Sequence, residues 1–329
     1  MTTAEQTPGA PMSIMDSLVR TDGEGPDWLW RSGSLVPWAE ASVHVNAVGH
    51  ASVAAVFEGI KAYVSHDGGR LLVFRLDEHL ERLYDSARIV RLHLPHDLPT
   101  LREAVLDVLR ANRYREDVYL RPWAFPAGVI QEQMVPAGVP CEVVVDSWTF
   151  TSGLGTERGC RAAVSSWTRI NEASMPPRVK AFSNYHNGRL AMIEARENGH
   201  DWPILLNERG KVSEGPGACI AIVRDGEVIT PSTTSGILES LTRETSLTLL
   251  REMGRTVVER DVDRTELYLA EEVFFMGTGW EILPVTSVDG LQVGDGSAGE
   301  VTRALDAAYA SVVRGRSQAH RDWITEVPF

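Results

Sequence analysis

The sequence is poor in cysteine, in positive charge and in long apolar runs, and each shortage excludes a class of protein. Three cysteines among 329 residues, widely spaced and without a CxxC pair, indicate neither a disulfide framework nor a zinc site, so we expect no metal. The net charge of -13 argues against a nucleic-acid surface, because phosphate binding depends on clustered lysine and arginine. No stretch reaches the ~18–20 apolar residues that a membrane helix needs. Small-molecule chemistry is therefore the expectation.

The chain is long enough for about two domains, at ~100–200 residues each. Residues 1–25 lack the basic start and apolar run of a signal peptide, so we expect a flexible N-terminal extension on a cytoplasmic protein. The segment TSGLGTERG has small residues and no periodicity, which is typical of a link between domains. The sequence thus predicts an N-terminal α/β domain at 26–150, an interdomain loop at 151–158 and a C-terminal α/β domain at 159–329.

Strand and helix patterns alternate in both predicted domains. The runs VYLRPWAF and CEVVVDSWTF predict strands, and helical spacing predicts helices at 77–90 and 101–110. Farther along, ILLNERGKVSEG and CIAIVRDGEVITP predict hairpins, the second with Asp225-Gly226 as its turn signal. Helices are predicted at 187–198 and 242–253, and EEVFFMGTGWEILPV predicts two strands joined by a glycine turn. The fold class is α/β.

Lysine occurs at only three positions, Lys61, Lys180 and Lys211, in a chain whose other basic residues are arginine. A lysine amine can lose its proton and form a Schiff base, whereas arginine stays protonated. Lys180 lies between a Pro-rich turn and a mixed polar and aromatic segment. Lys211 stands at a predicted hairpin tip, where a solvated charge is the better interpretation, and Lys61 fits the polar face of a strand. Lys180 is therefore the candidate for chemistry.

A carboxylate and a helix start could complete a cofactor site around Lys180. Glu214 follows a predicted strand, and a carboxylate beside a pyridine nitrogen keeps that nitrogen protonated. The helix start at Ser240-Leu241-Thr242 offers free N–H groups to an anion, and Thr278 lies in a glycine turn. Helix starts and turn carboxylates of this kind are common, so the residues alone leave a purely structural role open.

Taken together, these segments resemble the branched-chain aminotransferases, which are pyridoxal-phosphate enzymes of fold type IV, from about Trp28 to Val293. The order and spacing of the matching segments carry the resemblance. They are Val56-Phe57-Glu58-Gly59-Ile60, Glu78-His79 with Arg82-Leu83, Tyr119-Leu120-Arg121-Pro122, Lys180 with Asn184-Tyr185, Ser213-Glu214-Gly215, Leu241-Thr242-Arg243, and Gly277-Thr278. The resemblance implies the two-domain α/β fold of D-amino-acid aminotransferase type, with the cofactor pyridoxal 5'-phosphate in the interdomain cleft.

The resemblance also implies a role for each matching residue. Lys180 would form the Schiff base and move the proton during catalysis, with Tyr185 on the cofactor's phenolic oxygen and Glu214 on its ring nitrogen. The phosphate would contact Arg82, the backbone N–H groups of Leu241 and Thr242, and Thr278. The substrate would lie against Phe57, Tyr119, Arg121, Gly279 and Trp280.

Within that substrate set, Tyr119 and Arg121 lie on one face of a predicted strand. A guanidinium fork suits a carboxylate. The resemblance therefore implies that Arg121 receives the side-chain carboxylate of glutamate or 2-oxoglutarate, and that Tyr119 lies near the α-carboxylate.

The implied activity is transfer of an amino group between an L-amino acid, with glutamate as the expected donor, and a 2-oxo acid. The implied partners are these small molecules and a second copy of the chain in a homodimer, with no nucleic acid and no membrane.

An aminodeoxychorismate lyase or a D-amino-acid aminotransferase would keep Lys180 and Glu214, but the match at Tyr119-Leu120-Arg121 favours the L-type. A dinucleotide-dependent oxidoreductase could be argued from Gly215-Pro216-Gly217, which lacks the third glycine and the following helix. A non-catalytic binding protein is the simplest alternative.

Four departures from the family pattern concern the substrate pocket. Ser52-Val53 replaces a Tyr-Gly pair of bacterial members, whose tyrosine helps form the neighbouring subunit's pocket. Phe182 replaces a glycine, Trp280 replaces a small residue and could narrow the pocket, and the interdomain link is shorter than usual. We therefore predict an altered acceptor specificity. Activity with the three branched-chain 2-oxo acids as efficient as with every other acid tested would contradict this.

Overall fold

The structure is a computed structural model that describes residues 25–129 and 134–329. The predicted N-terminal extension, apart from Gly25, lies outside the described residues. None of the helices in the two described ranges is long and apolar enough to cross a membrane.

Sixteen strands and seven α-helices are found in the described part of the chain. In chain order the strands are β1 (Trp28–Arg31), β2 (Ser34–Pro37), β3 (Val56–Phe57), β4 (Ile60–Val64), β5 (Arg70–Phe74), β6 (Val118–Pro126), β7 (Cys141–Thr149), β8 (Cys160–Thr168), β9 (Trp202–Leu206), β10 (Cys219–Arg224), β11 (Glu227–Thr230), β12 (Val257–Glu259), β13 (Glu272–Gly277), β14 (Glu281–Val288), β15 (Leu291–Gln292) and β16 (Ile324–Pro328). The helices are α1 (Val45–Val53), α2 (Leu76–Ile89), α3 (Leu98–Asn112), α4 (Asn184–Glu197), α5 (Leu241–Glu252), α6 (Glu266–Leu269) and α7 (Glu300–Val313).

The strands form two sheets, one from each half of the chain. The first has the order β16-β5-β4-β6-β7-β1-β2, with β3 paired to β6, and the second has the order β12-β11-β10-β13-β14-β8-β9, with β15 paired to β14. The proposed interdomain loop at 151–158 lies between β7 and β8, the last and first strands of the two halves. Strand β16 pairs antiparallel with β5, so the end of the predicted C-terminal domain lies in the first sheet.

Helices cover the first sheet because their apolar residues recur at helical spacing. In α2 the stripe of Leu80, Leu83 and Ala87 is buried, and these side chains join the core beneath the sheet together with residues of α3. The central strands of the second sheet are apolar on both faces: all of β13 and the first five residues of β10 are buried.

Most of the predicted elements agree with the structure. The predicted hairpin at ILLNERGKVSEG is confirmed: Leu206 forms an antiparallel bridge with Val212, and Leu205 donates to the carbonyl of Glu214 and accepts from the N–H of Ser213, both at 2.9 Å. Its first arm is β9, which also pairs parallel with β8. Helix α1 was not predicted, because its sequence VNAVGHASV mixes glycine with β-branched valine, both poor helix formers.

Candidate active site

Lys180 lies where the two halves of the molecule meet. Its backbone carbonyl accepts a hydrogen bond from the N–H of Phe57 on β3 at 2.9 Å, and its N–H donates to Ser86 on α2 at 3.1 Å. The side-chain Nζ is 2.6 Å from the hydroxyl of Tyr185, on the first turn of α4, and 4.8 Å from the ring centroid of Phe57. The amine is therefore fixed beside a phenol at the boundary between the halves.

Glu214 is buried near the same boundary, and Arg169 holds one side of its carboxylate. Nη2 of Arg169 is 2.6 Å from Oε1, and the N–H of Leu238 donates to the same oxygen at 3.2 Å. The thiol of Cys219 lies 3.5 Å from Oε2. Burial raises the pKa of Glu214, although Arg169 opposes the shift. A carboxylate with a raised pKa is a good proton acceptor, which suits a partner for a pyridine nitrogen.

A group of hydrogen-bond donors lies at the start of α5. Ser240 caps the helix by accepting from the N–H of Arg243 at 3.2 Å, while the first N–H groups of a helix have no partner within it. The hydroxyls of Thr242 and Thr278 are 3.5 Å apart. Arg82 reaches the segment before the helix, where Nη1 donates to the carbonyl of Glu239 at 2.7 Å. The structure thus brings together the four residues predicted to hold a phosphate.

Arg82 is fixed by a buried acid that the sequence analysis did not single out. Glu58 is fully buried and accepts from Nε and Nη2 of Arg82 at 2.7 and 2.8 Å, and Nδ1 of His79 lies 2.7 Å from its Oε2. Burial raises the pKa of Glu58, but Arg82 and His79 outweigh it and hold the pKa far below its usual range. The sequence feature that could have indicated Glu58 is its position as the single acidic residue in the apolar run AAVFEGI.

Tyr119 and Arg121 share one face of β6, as predicted from strand alternation. The ring of Tyr119 stacks on Trp148 at 4.8 Å between centroids. A side chain at Gly59 would place its Cβ 1.9 Å from the Tyr119 hydroxyl, so this close approach requires glycine. The guanidinium of Arg121 is already paired with Asp146 on the adjacent strand, at 2.6 Å between Nη2 and Oδ2. Asp146 carries no sequence signal that would single it out as the partner of Arg121.

The turn between β13 and β14 carries Gly279 and Trp280. The carbonyl of Gly279 is 3.4 Å from Nζ of Lys61. The indole of Trp280 packs 4.0 Å from the ring of Trp202 and 5.1 Å from that of Phe275, within the core of the second sheet. These contacts differ from the expectation that the indole narrows the substrate pocket.

Lys61 is buried rather than on a solvated strand face. Its Nζ is 3.1 Å from Oε1 of Glu281, a residue in the left-handed region at φ 59°. The same carboxylate accepts from Ser152 and from the N–H of Gly153, both at 2.8 Å, and from Arg158 at 3.3 Å. One buried carboxylate therefore connects the first sheet, the proposed interdomain loop and the Gly279 turn.

Comparison with known proteins agrees with this arrangement. The family model described as amino-transferase class IV matches residues 55–288. The branched-chain-amino-acid aminotransferase of Escherichia coli (strain K12) is 38% identical over 304 residues, which is 92% of this chain and 97% of that protein. The chain belongs to the branched-chain type of class IV aminotransferases. The family resemblance predicted from the sequence is thus confirmed.

Solved structures of class IV aminotransferases share the fold. The branched-chain amino acid aminotransferase from Thermobaculum terrenum, in its PLP-form, is 44% identical, with a TM-score of 0.90 over 93% of this chain and 100% of that one. The Escherichia coli enzyme is 38% identical, with a TM-score of 0.86 over 92% of this chain and 99% of that one. These matches confirm the α/β fold of type IV.

Two other departures from the family pattern are Ser52-Val53 and Phe182. Ser52 and Val53 are exposed at the end of α1. Phe182 packs on Phe57 with 4.4 Å between ring centroids, and on Trp123 at 5.7 Å. Phe182 thereby adds an aromatic surface two residues from Lys180, where glycine would leave space.

Proposed function

We propose that this class IV aminotransferase moves an amino group between an L-amino acid and a 2-oxo acid, with pyridoxal 5'-phosphate as cofactor and Lys180 as its attachment point. The observation that carries the proposal is the 2.6 Å contact between Nζ of Lys180 and the Tyr185 hydroxyl. A reactive amine needs a fixed neighbour to orient it, and Tyr185 provides one at the boundary of the two halves.

The donor set fits pyridoxal phosphate on chemical grounds. Lys180 would hold the aldehyde carbon, Tyr185 the phenolic oxygen and Glu214 the ring nitrogen. The phosphate would be held by Arg82, the first N–H groups of α5 at Leu241 and Thr242, and Thr278. When bound, the cofactor supplies an electron-accepting ring that stabilises negative charge on the substrate's α-carbon.

Each protein residue then has a defined task. Lys180 would move a proton between the substrate's α-carbon and the cofactor's C4′ atom, because its amine would be the mobile base of the site. Glu214 would keep the ring nitrogen protonated, with Arg169 holding the carboxylate in place at 2.6 Å. Phe57, Tyr119, Arg121, Gly279 and the backbone of Trp280 would form the substrate surface.

The same-fold alternatives are not favoured. The family relatives described above are named for branched-chain amino acids, not for aminodeoxychorismate or D-amino acids. The dinucleotide alternative also fails structurally, because Gly215-Pro216-Gly217 leads into strand β10 and not into a helix.

A homodimer is part of the proposal. Helix α1 exposes three valines: 77% of Val45, 51% of Val48 and 66% of Val53 are accessible in the single chain. Apolar side chains grouped on one exposed helix are typical of a surface that contacts another chain. Ser52, which departs from the family pattern, lies on the same helix. A second subunit that contacts α1 would therefore bring Ser52 near a pocket.

The attachment point can be tested directly. Purified protein incubated with pyridoxal phosphate, reduced with borohydride and digested should carry the pyridoxyl mass on the peptide that contains Lys180. Lys211→Ala should keep that modification and Lys180→Ala should lose it. A label confined to the partly exposed Lys211, or no label at all, would contradict the proposed role of Lys180.

A further inference from the structure

Arg121 and Asp146 are cross-strand neighbours in the register of β6 and β7. Nε of Arg121 donates to Oδ1 at 3.2 Å, and Nη2 donates to Oδ2 at 2.6 Å. The arrangement is bidentate, which is the strongest geometry for a guanidinium and a carboxylate. Asp146 is the more enclosed partner, with 17% of its side chain exposed against 32% for Arg121.

A series of aromatic rings connects the pair with Lys180. The Arg121 guanidinium carbon lies 5.1 Å from the ring centroid of Trp148 and 5.7 Å from that of Phe182. Phe182 in turn packs on Phe57, whose ring lies 4.8 Å from Nζ of Lys180. A substrate side chain that extends from the reacting carbon toward Arg121 would therefore lie against aromatic rings.

A paired Arg121 presents little net charge to such a side chain. A substrate carboxylate at Arg121 would share the guanidinium with Asp146, and two carboxylates on one guanidinium repel each other in a site of low polarity. Burial raises the pKa of Asp146, and Arg121 opposes that shift. Neutral and apolar side chains meet the aromatic walls without this repulsion.

We propose that Asp146 is a specificity-determining residue, which neutralises Arg121 and so favours substrates with large neutral side chains over dicarboxylic ones. The inference rests on the proposed function, in which Arg121 faces the substrate's side chain. It concerns the choice of substrate and not the chemistry at Lys180.

The test is the ratio of kcat/KM for L-glutamate to kcat/KM for L-leucine, each measured as a single half-reaction by absorbance. Asp146→Asn preserves the shape and removes the charge, so the ratio should rise on the order of tenfold, the effect of one charge-assisted hydrogen bond gained. Adding Arg121→Gln to Asp146→Asn should remove this gain. The matched control is Glu142→Gln: Glu142 lies on the same strand, pairs with Arg31 at 2.6 Å, and should leave the ratio unchanged.

A second measurement needs only the unmodified enzyme. Glutarate should inhibit the leucine half-reaction at least tenfold more weakly than 4-methylvalerate, which has a neutral side chain. Equal inhibition, or an unchanged ratio in Asp146→Asn while leucine still reacts, would overturn the inference and leave the proposed function standing. If no amino acid reacts with the unmodified enzyme, the proposed function fails and the inference falls with it.

Discussion

Glu214 is the buried side chain that we propose as the partner of the cofactor's ring nitrogen. Its carboxylate is held from one side by Arg169 at 2.6 Å, and burial raises its pKa. Both effects suit a group that shares a proton with a ring nitrogen. The identity of this side chain as an acid therefore matters more than its shape.

Glu214→Gln should lower kcat by ~100-fold or more, because the amide cannot keep the ring nitrogen protonated. The affinity for pyridoxal phosphate should change little, since the phosphate donors are untouched. Steady-state kinetics and cofactor titration measure the two quantities separately. A variant with unchanged kcat would show that Glu214 has only a structural role.

Lys61 is a second buried ionisable side chain, and its positive charge opposes folding. Burial lowers the pKa of Lys61 to about 8, although Glu281 raises it in part. The unfolded chain holds this proton up to a pKa near 10.4. Between these values the unfolded state binds more protons than the folded state, so stability from this group rises as the pH rises.

The free energy of unfolding of the unmodified protein should therefore rise by ~2–3 kcal/mol between pH 8 and 10.5, relative to Lys61→Met, at 1.36 kcal/mol per pKa unit. Urea unfolding at several pH values measures the difference. Lys211→Met is the control, because the Lys211 side chain is one-third exposed and pairs with Asp263 at the surface. If Lys61→Met and the unmodified protein have parallel pH profiles, Lys61 is not titrating in the buried state.

At the scale of elements, the start of α5 is the place where helix stability would be coupled to phosphate binding. Ser240 caps this helix, with the N–H of Arg243 at 3.2 Å from its hydroxyl. Asp97 caps α3 with the same geometry, its carboxylate oxygen lying 3.0 Å from the N–H of Thr100. Only the first cap is adjacent to Thr242 and the proposed phosphate site.

Ser240→Ala should cost ~1 kcal/mol of stability and weaken pyridoxal-phosphate binding several-fold, because the helix start that holds the phosphate becomes less ordered. Asp97→Ala should cost about the same ~1 kcal/mol and leave the affinity unchanged. Thermal unfolding and cofactor titration of both variants provide the comparison. Equal affinities in the two variants would place the anion site elsewhere.

The elements that the sequence predicts well are those with a strong period. Helices α2, α3 and α5 and strands β6, β7, β10 and β13 follow directly from the spacing of apolar residues. The parallel pairing of β9 with β8 could not be predicted in this way, because α4 and not a turn lies between the two strands. Strand β16 likewise pairs with β5 across some 250 positions, a contact that no local pattern encodes.

The candidate site likewise contains residues that the sequence predicts and residues that it does not. Lys180 and Glu214 could be proposed because a rare lysine and a carboxylate carry recognisable chemistry, and Arg82 could be proposed only from the family resemblance. The residues that pair with them could not be proposed from the sequence. Pairs such as Arg169 with Glu214, and Asp146 with Arg121, join residues 45 and 25 positions apart, and sequence spacing does not show which charges meet.

At the scale of the whole molecule, both halves contribute to one site, and a second chain is expected beside it. The exposed valines of α1 give a specific prediction. Val48→Glu combined with Val53→Glu should halve the mass measured by light scattering, because charges replace the apolar contact surface. Leu269→Glu, at a residue 64% exposed on α6, should leave the mass unchanged. A monomeric unmodified protein would contradict the proposed homodimer.

The most direct test of the central claim is the absorbance spectrum of the purified protein with pyridoxal phosphate, before and after addition of L-leucine or L-glutamate. We predict a visible band that at least one of the two amino acids converts to the spectrum of pyridoxamine phosphate, and that Lys180→Ala cannot form. Absence of the band in the unmodified protein, or a band that Lys180→Ala forms equally well, would contradict an aminotransferase that acts through Lys180.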